Sequence, residues 1–181
     1  LLQRMARARE ARVIGRIDAN GVVDSSTTTT AFSTANIRSA TSDNGTNIWA
    51  VGSASGVVYT TLGGSGAGTV VSNTATNLRV INNFGGQLYV SSGAGSIRFG
   101  AVGTGLPTAN GTTTTTLGGM PAITATYNGF FFADLDAGVA GVDTLYIAND
   151  ATVNTPANLT SGGILKFARV GSDTWAYNGT F

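Results

Sequence analysis

Asn77-Leu78-Arg79-Val80-Ile81 and Gln87-Leu88-Tyr89-Val90-Ser91, with Ile97-Arg98-Phe99 after them, decide the fold. Each is a short apolar run, and Asn or Gly clusters separate them, as expected of antiparallel strands joined by tight turns. The same run stands about 40 residues earlier. Asn36-Ile37-Arg38 aligns with Asn77-Leu78-Arg79, Asn47-Ile48-Trp49-Ala50-Val51 with Gln87 to Ser91, and Val57-Val58-Tyr59 with Ile97-Arg98-Phe99. A looser third copy follows, in Thr144-Leu145-Tyr146-Ile147-Ala148 and Ile164-Leu165-Lys166-Phe167, closed by Val170-Gly171. A fixed period of this length is the mark of a repeat architecture.

Each copy holds four strand candidates. The second copy predicts Leu78–Ile81, Gln87–Ser91, Ser96–Val102 and Thr112–Leu117. The third predicts Phe130–Phe132, Thr144–Ala148, Ile164–Val170 and Thr174–Tyr177. Four short antiparallel strands in ~40 residues match one blade of a β-propeller. The pairs Ile48-Trp49, Leu88-Tyr89 and Leu145-Tyr146 in the second strands suit packing between blades. The threonine runs 27–30 and 112–116 suit exposed edge strands.

The expected architecture is therefore all-β, with about three and a half four-stranded antiparallel blades. Residues 1–12 read as a short basic helix or arm, rich in Ala, Leu, Gln and Arg and free of Gly and Pro. Residues 13–181 form the blades: 13–35 carry the outer hairpin of an earlier blade, and 36–76, 77–124 and 125–181 are one blade each. The turn of the outer hairpin is Asp18-Ala19-Asn20-Gly21. Closed propellers hold about 4–8 blades. Self-assembly, or the remainder of a longer chain, is the expected way to cover the faces left over.

Composition narrows the chemistry. The 181 residues include 26 Gly, 27 Thr and 24 Ala, with no His and no Cys. No imidazole base, Ser-His-Asp triad, thiolate nucleophile, disulfide or zinc–thiolate site can exist. Charged residues are 10% of the chain, against ~25% in ordinary soluble proteins. Five of the ten basic residues fall within the first 16 positions, so residues 17–181 are net acidic. That balance argues against nucleic acid as a partner. No apolar run approaches the ~18 residues of a membrane-spanning helix.

Candidate sites are few, and none is assigned as catalytic, cofactor-binding or metal-binding. Asp134, Asp136 and Asp143, with Asn149-Asp150, are the one acidic cluster and the only place for a calcium ion. Their spacing fits no EF-hand, and turn chemistry in blade-end loops is the favoured reading. Gly63-Gly64-Ser65-Gly66-Ala67-Gly68 lacks the Lys and the helix of a phosphate loop, and Gly93-Ala94-Gly95 is no closer. Asn44, Asn110, Asn158 and Asn178 head Asn-x-Ser/Thr sequons; three of these are Asn-Gly-Thr and read first as turns. Trp49, Tyr59, Tyr89, Tyr127, Tyr146, Trp175 and Tyr177 are the aromatics available to stack on glycans.

Seven segments together resemble the repeats of large secreted bacterial β-propeller proteins. They are Ile17–Gly21, Asn36–Ala40, Asn47–Trp49, Asn77–Val80, Gly86–Ser92, Val102–Pro107 and Phe130–Asp134. The resemblance spans about residues 12–181 and carries no catalytic motif. It implies an extracellular or cell-surface location. Together with the composition it points to a non-catalytic structural protein whose blades complete a propeller or build a filament. A carbohydrate- or surface-binding module, or the accessory segment of a larger secreted enzyme, are the alternatives.

Overall fold

The computed structural model describes residues 10–122, 124–151 and 162–181. Among these there is no helix, and fourteen strands form four antiparallel sheets. Sheet 1 pairs β1 (Arg12–Ile17) with β2 (Val23–Thr29). Sheet 2 is a meander of β3 (Ile37–Ser42), β4 (Asn47–Gly52), β5 (Val57–Thr61) and β6 (Thr69–Ser72). Sheet 3 repeats it with β7 (Leu78–Phe84), β8 (Gln87–Ser92), β9 (Phe99–Val102) and β10 (Thr114–Thr116). Sheet 4 does so again with β11 (Tyr127–Ala133), β12 (Thr144–Asn149), β13 (Gly163–Arg169) and β14 (Trp175–Thr180).

Side chains of a strand alternate between its two faces, and sheets 2 and 3 bury both. Ile48, Ala50 and Val58 of sheet 2 pack with Ile14 and with Phe32 from the link after β2. Trp49, Val51, Val57 and Val71 of the same sheet pack with Leu78, Ile81, Leu88, Val90 and Val102 of sheet 3. On its other face sheet 3 sends Phe99 and Tyr89 into a cluster with Phe132, Leu145, Ile147, Leu165 and Phe167 of sheet 4. The sheets thus stack in chain order. Among the described residues no hydrophobic cluster joins sheet 4 back to sheet 1. Two-sided burial explains why β4 reads Ile-Trp-Ala-Val without polar alternation.

Polar ties run along both margins of the stack. On the first-strand margin, Arg38 Nη1 donates to Asn77 Oδ1 at 2.7 Å and to the Leu78 carbonyl at 3.0 Å. Thr41 Oγ1 donates to Asn82 Oδ1 at 3.2 Å. On the outer margin, Thr28 and Thr30 donate main-chain N–H bonds to Gly64 and Gly66, Thr112 to Val71, and Trp175 to Gly118. Each sheet's last strand, or a turn beside it, is in this way bonded to that of its neighbour.

Three expectations need correction. The threonine runs are not simple exposed edges. Thr27, Thr29 and Thr114 are buried, and Ser72 Oγ and Thr114 Oγ1 share a hydrogen bond of 2.9 Å between sheets. The third strand of sheet 3 begins at Phe99, not Ser96, so Ile97 and Arg98 lie in the turn before it. Phe99 pairs with Ser91 as Val57 pairs with Val51, which sets the local repeat at 42 residues and not 40. The expected N-terminal helix lies outside the described residues over 1–9; Glu10 and Ala11 are not helical, and Arg12 is the first residue of β1.

Trp49 is fully buried, and its indole N–H donates to the Pro107 carbonyl at 2.7 Å. Trp49→Ala is expected to cost about 3–5 kcal/mol in urea unfolding. Gly56 has φ +64, and a Cβ there would overlap the Ser72 carbonyl oxygen, so Gly56→Ala is also destabilising. Ser65→Ala, at an exposed position in the turn between β5 and β6, is expected to stay within about 0.5 kcal/mol of the parent.

Candidate functional site

Register shows how the sheets correspond. Thr41–Trp49–Tyr59 is a row across sheet 2, Asn82–Tyr89–Ala101 a row across sheet 3, and Phe131–Tyr146–Lys166 a row across sheet 4. Directly paired residues share a face. In sheet 2 this row meets sheet 3, with Trp49 at its centre and Tyr59 tilted against it at 5.5 Å. In sheet 3 it meets sheet 4, where the Tyr89 ring lies 4.4 Å from Phe132. In sheet 4 no described sheet lies beyond it. Phe131 is 58% exposed and Ile164, two residues from Lys166 on the same face, is 41% exposed.

The opposite terminus of the stack is also uncovered. Ile14 faces sheet 2, so Val13 faces away and is 57% exposed. Arg16 Nη1 reaches Gly45 in sheet 2, which leaves the Ile17–Val23 pair on the outward face; both residues are exposed. β1 stands where β5, β9 and β13 stand in their sheets. Those strands have partners on both sides, whereas β1 pairs only with β2 among the described strands.

Strand direction separates the charges. Arg12, Arg38, Arg79 and Arg98 all lie at the end where the first strands of sheets 2 to 4 begin, with Glu10 and Asp150 the acids there. The opposite end carries Asp18, Asp24 and Asp43 in sheets 1 and 2. It also carries Asp134, Asp136, Asp143 and Asp173 in sheet 4, with Arg16 and Arg169 as its bases. At the basic end, burial and the neighbouring Arg79 guanidinium pull the Arg38 pKa down. The Arg12–Glu10 contact, at 3.8 Å, is the one salt bridge among the described residues.

The candidate calcium cluster is divided by this geometry. Asp143 precedes β12 and Asn149-Asp150 end it, so the two lie about 20 Å apart along the strand. Asp143 Oδ2 accepts the Leu135 and Asp136 N–H groups at 2.8 and 2.7 Å, and its Oδ1 accepts the Thr144 hydroxyl. Asp136 Oδ1 takes the Gly138 N–H, and Asp150 Oδ1 the Thr126 N–H. These carboxylates close turns. Among the described residues no group of three acids is arranged to hold a metal ion.

The other candidates are likewise absorbed by the fold. The Gly63–Gly68 turn gives its carbonyls to β2 and to Thr30, and Gly63 N–H donates to Thr27 Oγ1. Asn44 caps its own turn, and Asn110 Nδ2 donates to the Val70 carbonyl. Asn158 lies outside the described residues, and Asn178 is exposed. Trp49, Tyr127 and Trp175 are buried, which removes them as platforms for sugar rings; Tyr177 is 40% exposed. Comparison with family models, with curated proteins and with solved structures finds no match.

A cavity of about 120 Å³ at the basic end was not anticipated. Arg98, Tyr127, Ser96 and Thr116 line it, with Met120 and Pro121 as its apolar wall. Only a lone Arg, read within a strand, marks it in the sequence.

The Thr144 hydroxyl, followed by the Asp136 and Leu135 N–H groups, holds the Asp143 carboxyl below its ordinary value of 3.8, against the opposing effect of burial. A carboxyl depressed on folding contributes stability that is complete above its unfolded value. That contribution is lost as pH falls through the folded value. Acid titration of the melting temperature below about pH 4 is therefore expected to fall more steeply for the parent than for Asp143→Asn.

Proposed function

We propose that this chain is a non-catalytic structural module whose sheets are propeller-type blades, and that copies associate through the uncovered faces of sheets 1 and 4. The observation that carries this reading is the Phe131–Tyr146–Lys166 row. Its counterparts in sheets 2 and 3 each pack against the following sheet; its own centre, Tyr146, has no described sheet beyond it, while Phe131 also reaches back to the Phe84 ring of sheet 3 at 5.4 Å. The occupant that fits is a further sheet of the same kind, and a second copy supplies one: the outward face of sheet 1, with Val13, Ile17 and Val23. Such a contact is heterologous, joining different patches on the two partners. It closes into a ring or runs on as a filament according to the rotation per copy.

Composition supports the same reading. Low charge weakens repulsion between identical subunits. The want of His and Cys leaves the chain without the commonest catalytic groups. A Thr-, Gly- and Ala-rich chain with a single Lys suits a secreted or cell-surface role.

Sedimentation velocity at micromolar concentration tests the proposal. The parent chain is expected as a dimer or larger species. Tyr146→Glu is expected to weaken association tenfold or more while leaving the circular dichroism melt in place. A parent chain that sediments as a folded monomer would overturn the proposal. Electron microscopy of the associated material distinguishes ring from filament.

A further inference from the structure

Five buried side-chain polar atoms have no hydrogen-bond partner among the described residues. One is the Asn83 Oδ1 acceptor. The other four are Arg79 Nε, Arg98 Nε, Arg98 Nη1 and the Tyr127 hydroxyl oxygen, all donor-bearing and all at the basic end of sheets 3 and 4. Buried polar groups are nearly always paired, so several unpaired donors in one region point to an acceptor that the described residues do not supply. Arg98 and Tyr127 line the same cavity, and Tyr127 is 1% exposed.

We propose that this cavity is an oxyanion site, taking a phosphate, sulfate or carboxylate group, with Arg98 Nε and Nη1 and the Tyr127 hydroxyl as its donors. Three physical features support it. A guanidinium presents its N–H groups as a planar fork matched to two oxygens of such a group. Arg98 has no carboxylate partner among the described residues. The volume of about 120 Å³ is several times the ~30 Å³ share of one liquid water, and Ser96 and Thr116 add hydroxyls to the lining.

The surrounding charge acts in the same direction. Arg38 and Arg79 lie at the same end, and the seven aspartates of the opposite end are a strand length or more away. Asp150 is the acid on the sheet 4 side of this end, and its Oδ1 is engaged by the Thr126 N–H. Burial pushes the Tyr127 phenol up, so it stays protonated and available as a donor. The site is separate from the outward faces of sheets 1 and 4 and stands or falls independently of self-association.

The test is titration of the full chain with inorganic phosphate, inorganic sulfate and acetate in turn, at constant ionic strength. Binding is followed by the arginine Nε–Hε resonances and the melting temperature. A saturable shift of the Arg98 resonance with at least one of the three is expected, and the anion that binds identifies the group preferred. Arg98→Gln is expected to abolish saturation, and Tyr127→Phe, which keeps the buried ring, to weaken binding several-fold. Arg169→Gln, at the other end, is expected to leave binding unchanged. No saturable shift with any of the three anions would overturn the proposal, as would binding that survives Arg98→Gln in a folded protein.

Discussion

Each internal sheet must bury two faces at once, and most of the structure follows from that constraint. A strand alternates its side chains, so a sheet between two others needs apolar residues in every phase. β4 meets this with Ile48 and Ala50 on one side and Trp49 and Val51 on the other. β8 does it with Leu88 and Val90 facing sheet 2 and Tyr89 facing sheet 4. Four strands per sheet leave little room for charge, and the Asp and Arg residues are displaced to the strand ends and turns. The low charge of the chain and its concentration at the strand ends thus have one cause.

The same constraint makes the faces of the outermost sheets informative. Sheet 4 keeps the row that its predecessors use for packing, with Tyr146 where Trp49 and Tyr89 stand. Sheet 1 has two described strands where the others have four, and its outward Val and Ile residues have no partner among the described residues. Burial of such apolar surface is worth roughly 25 cal/mol per Å², the same driving force that holds sheets 2 and 3 together. The proposed self-association extends the internal packing rule and needs no new one.

Much of the fold was legible in the sequence because period and alternation are carried by the apolar residues themselves. The repeat of Asn-Ile/Leu-Arg, and of the aromatic in each second strand, placed all three meanders. What was not legible depended on the neighbour. Thr27, Thr29 and Thr114 read as edge residues, since nothing in a threonine run says that an adjacent outer strand will cover it. Ile97-Arg98 read as strand because an apolar-charged-aromatic triplet looks the same in a turn two residues longer. For the same reason Arg98 drew no attention as a site residue. Its significance lies in being buried beside Tyr127 without an acceptor, and both facts belong to the packing of sheet 3 on sheet 4.

Aromatic nuclear Overhauser contacts between sheets test the stacking most directly. The account predicts strong cross-peaks between the Tyr89 and Phe132 rings, whose centroids lie 4.4 Å apart, and from the Trp49 indole N–H to the residues beside Pro107. Intact strand-to-strand contacts within each sheet, with none between sheets 2 and 3 or between sheets 3 and 4, would contradict it.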